Sequence, residues 1–458
     1  MVRMWLIVCL VFLGVCFDGV RSSLPPPSKA SVGAYFTMKG AEYVNLILVN
    51  KTKSTMEGQK VPPVSISKSI WWNTIRLSLA NSKIRSVSLG TSSIQFQKGF
   101  IKVVIHIDSA EVAGEYNYNG GILGSGRGTY VVKLKNVWIT KYLSVGVRAD
   151  GKPILINGKC SNWIEDTSPE FTGGSSFIIN LLVSLVKSSV NNDVRKKICT
   201  SINEAIQKRE KMLTTLYPER YNVSRVQCAQ IRIPILQQPL ILTSYIKVLV
   251  EGGINSSCYQ LNNSSRGRGV HQIKYIPNPS KMISAVLSDR IINSMADLYY
   301  KAGLMKLVEI QSKDLLDPLR VALHVTSPPR INTTDNSSLA VFKMQANLTT
   351  TSAVDETSQT FLVPVEMTCD FYLEKEEKDI SGKVKNLRFQ LFFTKDIPEE
   401  IKSLVLPVLK THNSQITNNV NGFFNKLVPL PMIYYIHFTN KQFIRKEGYT
   451  VFESDVTM

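Results

Sequence analysis

Residues 100–147 read FIKVVIHIDSAEVAGEYNYNGGILGSGRGTYVVKLKNVWITKYLSVGV, and their alternation sets the fold class. Val103, Ile105 and Ile107 recur at every second position, as do hydrophobic residues around Val131, Leu134 and Val137 on the far side of a polar stretch, Tyr116 to Arg127. A two-residue period puts these side chains on one covered face of a strand and the intervening polar residues on the other. The pattern predicts two long antiparallel strands joined at a polar tip. Working backwards, Val64, Ile66 and Ile70, then Ile75, Leu77 and Leu79, extend the alternation, so strands are expected over Val64 to Ile156.

On either side the period becomes helical. Ala30 to Leu48 reads as a helix with Phe36, Gly40, Tyr43 and Ile47 on one apolar-to-small face, closed by the turn-prone stretch Asn50 to Pro63. After Ser175, Phe177, Leu181, Leu185, Val194, Ile198, Ile202 and Ile206 trace a stripe about eight turns long. The basic residues on its second half, Arg195, Lys196, Lys197, Lys208, Arg209 and Lys211, read as a solvated face. Residues 229–250 are apolar, punctuated by Pro234 and Pro239, and suit strands passing between two halves. Beyond a polar loop at Asn255 to Arg268 the order repeats: a helix at Asp289 to Val308, strands from Leu319 to Phe393, a helix at Pro398 to Phe424, and strands from Met432 to Val456. The architecture repeats without residue-level identity between the halves.

The chain has 458 residues, 44 % of them hydrophobic and 19 % charged, which fits a folded protein of more than one domain. Residues 1–23 place Arg3 before the apolar run Met4 to Phe17, too short to span a bilayer, and read as a secretory signal peptide. The net charge of +19 is uneven: residues 23–230 hold 27 basic and 13 acidic side chains, net +14. Such a field attracts anionic partners, and export largely removes nucleic acid from among them. Export also agrees with eight glycosylation sequons, at Asn50, Asn222, Asn255, Asn262, Asn263, Asn332, Asn336 and Asn347, which suggest exposed loops. The cysteines after residue 23 are Cys160, Cys199, Cys228, Cys258 and Cys369, an odd set in an oxidising compartment.

No GxSxG, HExxH or Walker A pattern occurs, and His106, His271, His324, His412 and His437 are scattered. Gly121 to Gly128 fails the spacing of a dinucleotide loop and reads as a flexible hairpin tip. No catalytic residue, metal site or cofactor is assigned. A long helix laid along a strongly twisted sheet leaves room for a groove, although periodicity alone reads Phe36, Tyr43 and Ile47 as ordinary core.

Four further stretches add a family. Lys39-Gly40-Ala41-Glu42-Tyr43 has a Lys-Gly pair followed by an acidic residue and an aromatic. Gly151-Lys152-Pro153 leads to Cys160, with Cys199 on the next helix. Lys281-Met282, Leu287-Ser288-Asp289, Asn293, Tyr299 and Ala302-Gly303-Leu304 open the second half, and Val428-Pro429-Leu430-Pro431 precedes the last strands. In this order they resemble the bactericidal/permeability-increasing and lipopolysaccharide-binding protein family, which also holds the plasma lipid-transfer proteins.

The resemblance implies an α+β boomerang of two tubular lipid-binding domains, each a long twisted antiparallel sheet wrapped on long helices. The domains are placed at residues 24–230 and 271–458, with a central sheet and linker at 231–270. It implies a Cys160 to Cys199 bridge; a Cys228 to Cys258 pair leaving Cys369 is one of the open alternatives. It also implies apolar pockets for phospholipid acyl chains, with Phe36, Tyr43 and Ile47 as contacts in the first domain and Ile292, Met295 and Tyr299 in the second.

Bactericidal members carry basic hairpin tips at the far end of the first domain. Here Lys68, Trp71, Trp72 and Arg76 surround the first tip, nearby tips are expected to add Lys98 and Lys102, and Tyr116 to Gly128 supplies only Arg127, a departure from that pattern. Neighbouring Trp71 and Trp72 cannot both face a core from a regular strand, so one is expected at an interface, a membrane or a neighbouring loop. The expected function is a secreted, non-catalytic binder of phospholipid and of lipopolysaccharide or other anionic lipid in innate defence, touching membrane surfaces without spanning them. An extracellular lipid carrier or transfer protein is the alternative.

Overall fold

A computed structural model describes residues 30–70, 73–173, 176–189, 195–217, 220–223, 225–261, 274–305, 309–311, 319–351, 358–375, 379–425, 427–429 and 437–457. The leader, Trp71, Trp72, Asn262 and Asn263 lie outside these. The chain begins with strand β1 (Val32–Thr37) and helix α1 (Met38–Met56). The sequence pattern had this region as one helix from Ala30. Neighbouring Tyr35 and Phe36 are 1 % and 4 % exposed because they fill opposite faces of a sheet that is covered on both sides. A doubly covered strand shows no polar alternation and mimics a helix start. The helix itself then runs on to Met56, through the stretch expected to end it.

The first large sheet contains β2 (Val64–Ile70), β3 (Asn73–Leu89), β4 (Ser93–Gln97), β5 (Phe100–Asn119), β6 (Ser125–Val147) and β7 (Pro153–Thr172), all antiparallel, in the order β2-β3-β5-β6-β7 with β4 on the edge of β5. At about 3.3 Å per residue the 23 residues of β6 reach about 75 Å. One face buries Ile75, Leu77, Ile107, Tyr116, Tyr130 and Val137 beneath helices α2 (Ser176–Ser189) and α3 (Arg195–Leu216). The expected continuous stripe is two helices. The face α2 buries is Ile178, Leu182, Leu185 and Val186, one residue round from Phe177, which is 65 % exposed.

A central sheet joins the halves, with β1 and β13 (Ile283–Ser288) in the middle. Its order is β10-β11-β1-β13-β22-β21, where β10 is Leu240–Ile241, β11 Tyr245–Val250, β21 His437–Lys446 and β22 Tyr449–Thr457. Residues 231–270 therefore supply only two of its six strands; β1 comes from the first described residues, β13 from the start of the second half, and β21 and β22 from the last residues. The small sheet of β8 (Arg220–Val223), β9 (Val226–Arg232) and β12 (Gly253–Ser256) packs Val226, Ala229 and Ile254 into the core of the second half. A boundary at residue 230 thus falls inside β9.

That second core lies between α4 (Asp289–Lys301), a sheet containing β14 (Glu309–Gln311), β15 (Leu319–Val325), β16 (Arg330–Thr333), β17 (Ser338–Thr351), β18 (Ser358–Lys375), β19 (Asp379–Leu391) and β20 (Val428–Pro429), and helices α5 (Glu399–Thr411) and α6 (Asn413–Phe423). The single helix expected at Pro398 to Phe424 breaks at His412. No helix among the described residues is long and apolar enough to cross a membrane.

Disulfides link Cys160 to Cys199 and Cys228 to Cys258. Cys369 remains a thiol at 0 % exposure on β18, and burial pushes its pKa up to about 12. A thiol so placed is neither accessible nor ionised at neutral pH. In protein without residues 1–23, which carry Cys9 and Cys16, Ellman's reagent is accordingly expected to find no reactive thiol in the native state and one per chain after denaturation without reductant; a native titre near one would contradict this burial.

Candidate functional site at the end of the first sheet

Register decides which of the basic residues meet. Across β2, β3, β5 and β6, Ser67 pairs with Arg76, Arg76 with Asn119, and Asn119 with Ser125. The adjacent row runs Ser65, Ser78, Asn117, Arg127. Alternation puts all eight on the solvent face, with Leu77, Tyr116 and Tyr118 on the buried one. Ser65, Ser67, Arg76, Ser78, Asn117 and Asn119 line an open groove of about 350 Å³ with Ile66 and Leu77. Arg76 and Arg127 are exposed on adjacent rows and have no carboxylate partner among the described residues. The arrangement offers two guanidiniums and a set of hydroxyl and amide donors, which suits an anionic oxygen-rich group.

The groove has a rigid floor. Beneath it Tyr116 packs edge-on to Phe171 with ring centroids 5.0 Å apart, and its hydroxyl donates to the Gly173 carbonyl at 2.6 Å. Tyr118 and Tyr116 lie over their cross-strand partners Gly126 and Gly128, where a Cβ would stand 2.7 Å from either ring. Those glycines are the close-approach points of a regular strand covered by aromatics. The stretch Gly121 to Gly128 is therefore not a flexible tip: only Gly120 to Gly124 turns, and Ser125 onward belongs to β6.

Other expected tip residues lie elsewhere. Lys68 pairs with Ile75 and so projects from the opposite face of the hairpin to Arg76. Lys98 sits in the turn between β4 and β5, where Gly99 N–H bonds to the Ile241 carbonyl of the central sheet, and Lys102 is level with Tyr142. Both lie at the other end of β5, about 55 Å from Asn119. Chain order made these tips look adjacent, but successive hairpins of an antiparallel sheet alternate between its ends.

Of the six expected lipid contacts, Phe36 lies on β1 against Phe96, its ring centroid 6.1 Å away, and Tyr43 and Ile47 are half-buried on α1. Ile292, Met295 and Tyr299 are all at 0 % exposure inside the second core, with the Arg225 guanidinium 5.1 Å from the Tyr299 ring. Tyr43 and Ile47 alone among the six keep appreciable solvent-facing surface. Of the sequons within the described residues, Asn336 is on a turn; Asn222, Asn255 and Asn332 are outward on strands, Asn50 is exposed on α1, and Asn347 is half-buried on β17.

The sequence pattern missed Lys141. It sits on the buried face of β6 at 4 % exposure and donates to the Gly158 carbonyl and Asn203 Oδ1, each at 2.7 Å. Burial holds its ammonium below the usual lysine pKa. Its place in the alternating series Ile139, Lys141, Leu143 was the available signal.

Family models match both halves: the N-terminal domain of the LBP / BPI / CETP family over residues 40–209 and its C-terminal domain over 316–458. The chain belongs to the LBP/BPI/CETP family. Relatives include a putative BPI/LBP family protein of Arabidopsis thaliana, 22 % identical over 68 % of this chain and 65 % of its own length, and a bactericidal permeability-increasing protein of Sebastes schlegelii, 23 % identical over 66 % and 62 %. The human lipopolysaccharide-binding protein is 20 % identical over 39 % of this chain and 36 % of its own. The chain thus aligns with less than two thirds of each of these relatives. The crystal structure of a lipopolysaccharide binding protein superposes with a TM-score of 0.62 at 16 % identity, covering 93 % of this chain and 99 % of that one, which establishes the tubular boomerang fold.

Proposed function

We propose that this family member is a secreted, non-catalytic lipid-binding protein that recognises anionic lipid, lipopolysaccharide among the candidates, through its basic first half. The observation that carries the reading is the placement of Arg76 in a polar groove at the end of the first sheet, with Arg127 on the adjacent row beside it, in a half with a net charge of +14. Two disulfides support an oxidising, extracellular destination. The named relatives support lipid as the ligand class. In this reading the acyl chains of bound lipid lie against the apolar faces of α1 and the first sheet, near Tyr43 and Ile47, and the arginines, on the solvent face at the far end of that sheet, meet the phosphates of a separate lipid surface.

Native mass spectrometry of the secreted protein, followed by lipid extraction, tests the cargo half of the proposal. The expected result is bound phospholipid that survives a salt increase, because apolar burial is little screened. Binding of lipopolysaccharide is expected to weaken steeply over the same salt range. A protein that carries no lipid and takes up none when offered would sink the reading. Lipid uptake with no affinity for lipopolysaccharide or anionic phospholipid would leave a lipid carrier in its place.

A further inference from the structure

We propose that the Gly120–Gly124 turn is a membrane wedge, with Ile122 and Leu123 entering the acyl layer of an anionic bilayer while Arg76 and Arg127 remain at its phosphates. The proposal rests on the lipid-binding reading above and adds to it the residues that penetrate and the depth at which they do so. Ile122 is 81 % exposed, the most exposed of the large hydrophobic residues described, and Leu123 beside it is 39 % exposed. A scattered surface leucine needs no explanation. An adjacent apolar pair at the extremity of a long sheet, flanked by arginines, is a different case.

The pair is presented by a closed turn. Gly120 N–H bonds to the Gly124 carbonyl at 2.8 Å, Leu123 N–H to the Gly120 carbonyl and Gly124 N–H to the Gly121 carbonyl at 3.0 Å, and Asn119 Oδ1 accepts from Gly121 N–H at 3.0 Å. Gly121 and Gly124 hold φ of +56° and +79°, which glycine adopts without strain and which lets the chain reverse within five residues. The ordering cost of the turn has been met in folding, so insertion does not have to supply it. Its backbone donors and acceptors are largely paired internally, which lowers the penalty for leaving water. Residues 119–126, NGGILGSG, contain no ionisable side chain that would have to be desolvated.

The charges lie where a bilayer would need them. Arg76 is level with Asn119, the last residue of β5, and Arg127 is level with Asn117, about 7 Å further back. The polar layer of a membrane is roughly 5–8 Å thick on each side. With the apolar pair at the top of the acyl layer, Arg76 falls at the headgroup phosphates, and Arg127, about 7 Å further back, lies at their outer edge with a side chain long enough to reach them. Charge complementarity makes the occupant an anionic lipid surface.

The test uses the protein without its leader, residues 1–23 with Cys9 and Cys16, carrying Ile122→Cys labelled with the environment-sensitive fluorophore NBD; burial of Cys369 makes the label selective. With vesicles of phosphatidylglycerol and phosphatidylcholine, NBD emission should rise several-fold, shift to shorter wavelength and be quenched by spin-labelled acyl chains. A label at Thr140→Cys, on the mid-sheet outer face, should remain aqueous. In parallel, Ile122→Ser with Leu123→Ser should weaken vesicle binding about tenfold at every salt concentration, leaving its salt dependence unchanged. Co-sedimentation with vesicles while the label at 122 stays aqueous would overturn the wedge and leave anionic-lipid recognition intact. Absence of vesicle binding would also overturn the wedge, and the cargo measurement would then decide the lipid reading separately.

Discussion

Arg76→Glu combined with Arg127→Glu is expected to weaken binding to anionic vesicles about 1,000-fold at low salt. A basic side chain at an anionic surface contributes about 1 kcal/mol, so reversing two charges removes roughly twice that at each site. Both residues are exposed and without carboxylate partners among the described residues, so the fold should survive and the melting temperature should stay near that of the native chain. The deficit should shrink as salt is raised, since screening over about 10 Å at 0.1 M acts on the native complex more than on the variant. Lys98→Glu with Lys102→Glu makes the same change in net charge at the other end of β5 and is expected to cost far less. Equal losses in the two double variants would mean that the overall charge of the first half, and not the groove, governs binding. An Arg76/Arg127 variant within threefold of native would remove the groove from the mechanism.

That contrast also shows where sequence reading stopped. The large sheet was legible because Val103, Ile105, Ile107 and their counterparts alternate with polar residues, and a one-side-covered sheet writes its period into the chain. Strand β1 was not legible, since both its faces are covered. The meaning of Lys39-Gly40 was likewise hidden until the ends of the chain met. Lys39 Nζ bonds to Asp455 Oδ1 at 2.8 Å, and a Cβ on Gly40 would stand 2.5 Å from the Phe36 ring and 2.8 Å from the Met282 carbonyl. Burial alone would raise the Asp455 carboxyl, but hydrogen bonds from Asn440 and Lys39 hold it below the usual carboxylate range. The short motif thus locks the first helix to the last strand across the central sheet. The groove failed to appear for a related reason: serines and asparagines on four strands look like ordinary outward positions until register aligns them. The apolar turn was hidden among glycines that suggested flexibility, whereas two of them are sites where tyrosine rings lie on β6.

The second large effect concerns how α3 is held. Replacing Cys160 and Cys199 by alanine is expected to destabilise the protein by about 4 kcal/mol, the loop-closure value for a bridge spanning 39 residues. The loss should be concentrated in one helix, because the described apolar contacts of α3 with the sheet are shallow. Ile198, Ile202 and Ile206 are only partly buried against the first-half cores. Polar pins around the disulfide add to these: Lys141 Nζ to Asn203 Oδ1 at 2.7 Å, Asn162 Nδ2 to the Arg195 carbonyl at 2.8 Å, and the Arg195 guanidinium to the Asn162 carbonyl at 2.5 Å. A buried ammonium satisfied by neutral acceptors is a weak clamp once water can reach it. Without the covalent link, opening of α3 should become a local event separable from global unfolding, and its amides should exchange up to about 1,000-fold faster while those of β17 and β18 keep native protection. Opening would expose the apolar face of the first sheet, so retained phospholipid should fall in step with α3 protection if acyl chains lie against that face. Uniform destabilisation of both halves would show that α3 belongs to one cooperative unit with the sheet. Native exchange in α3 would show that the polar pins suffice to hold it.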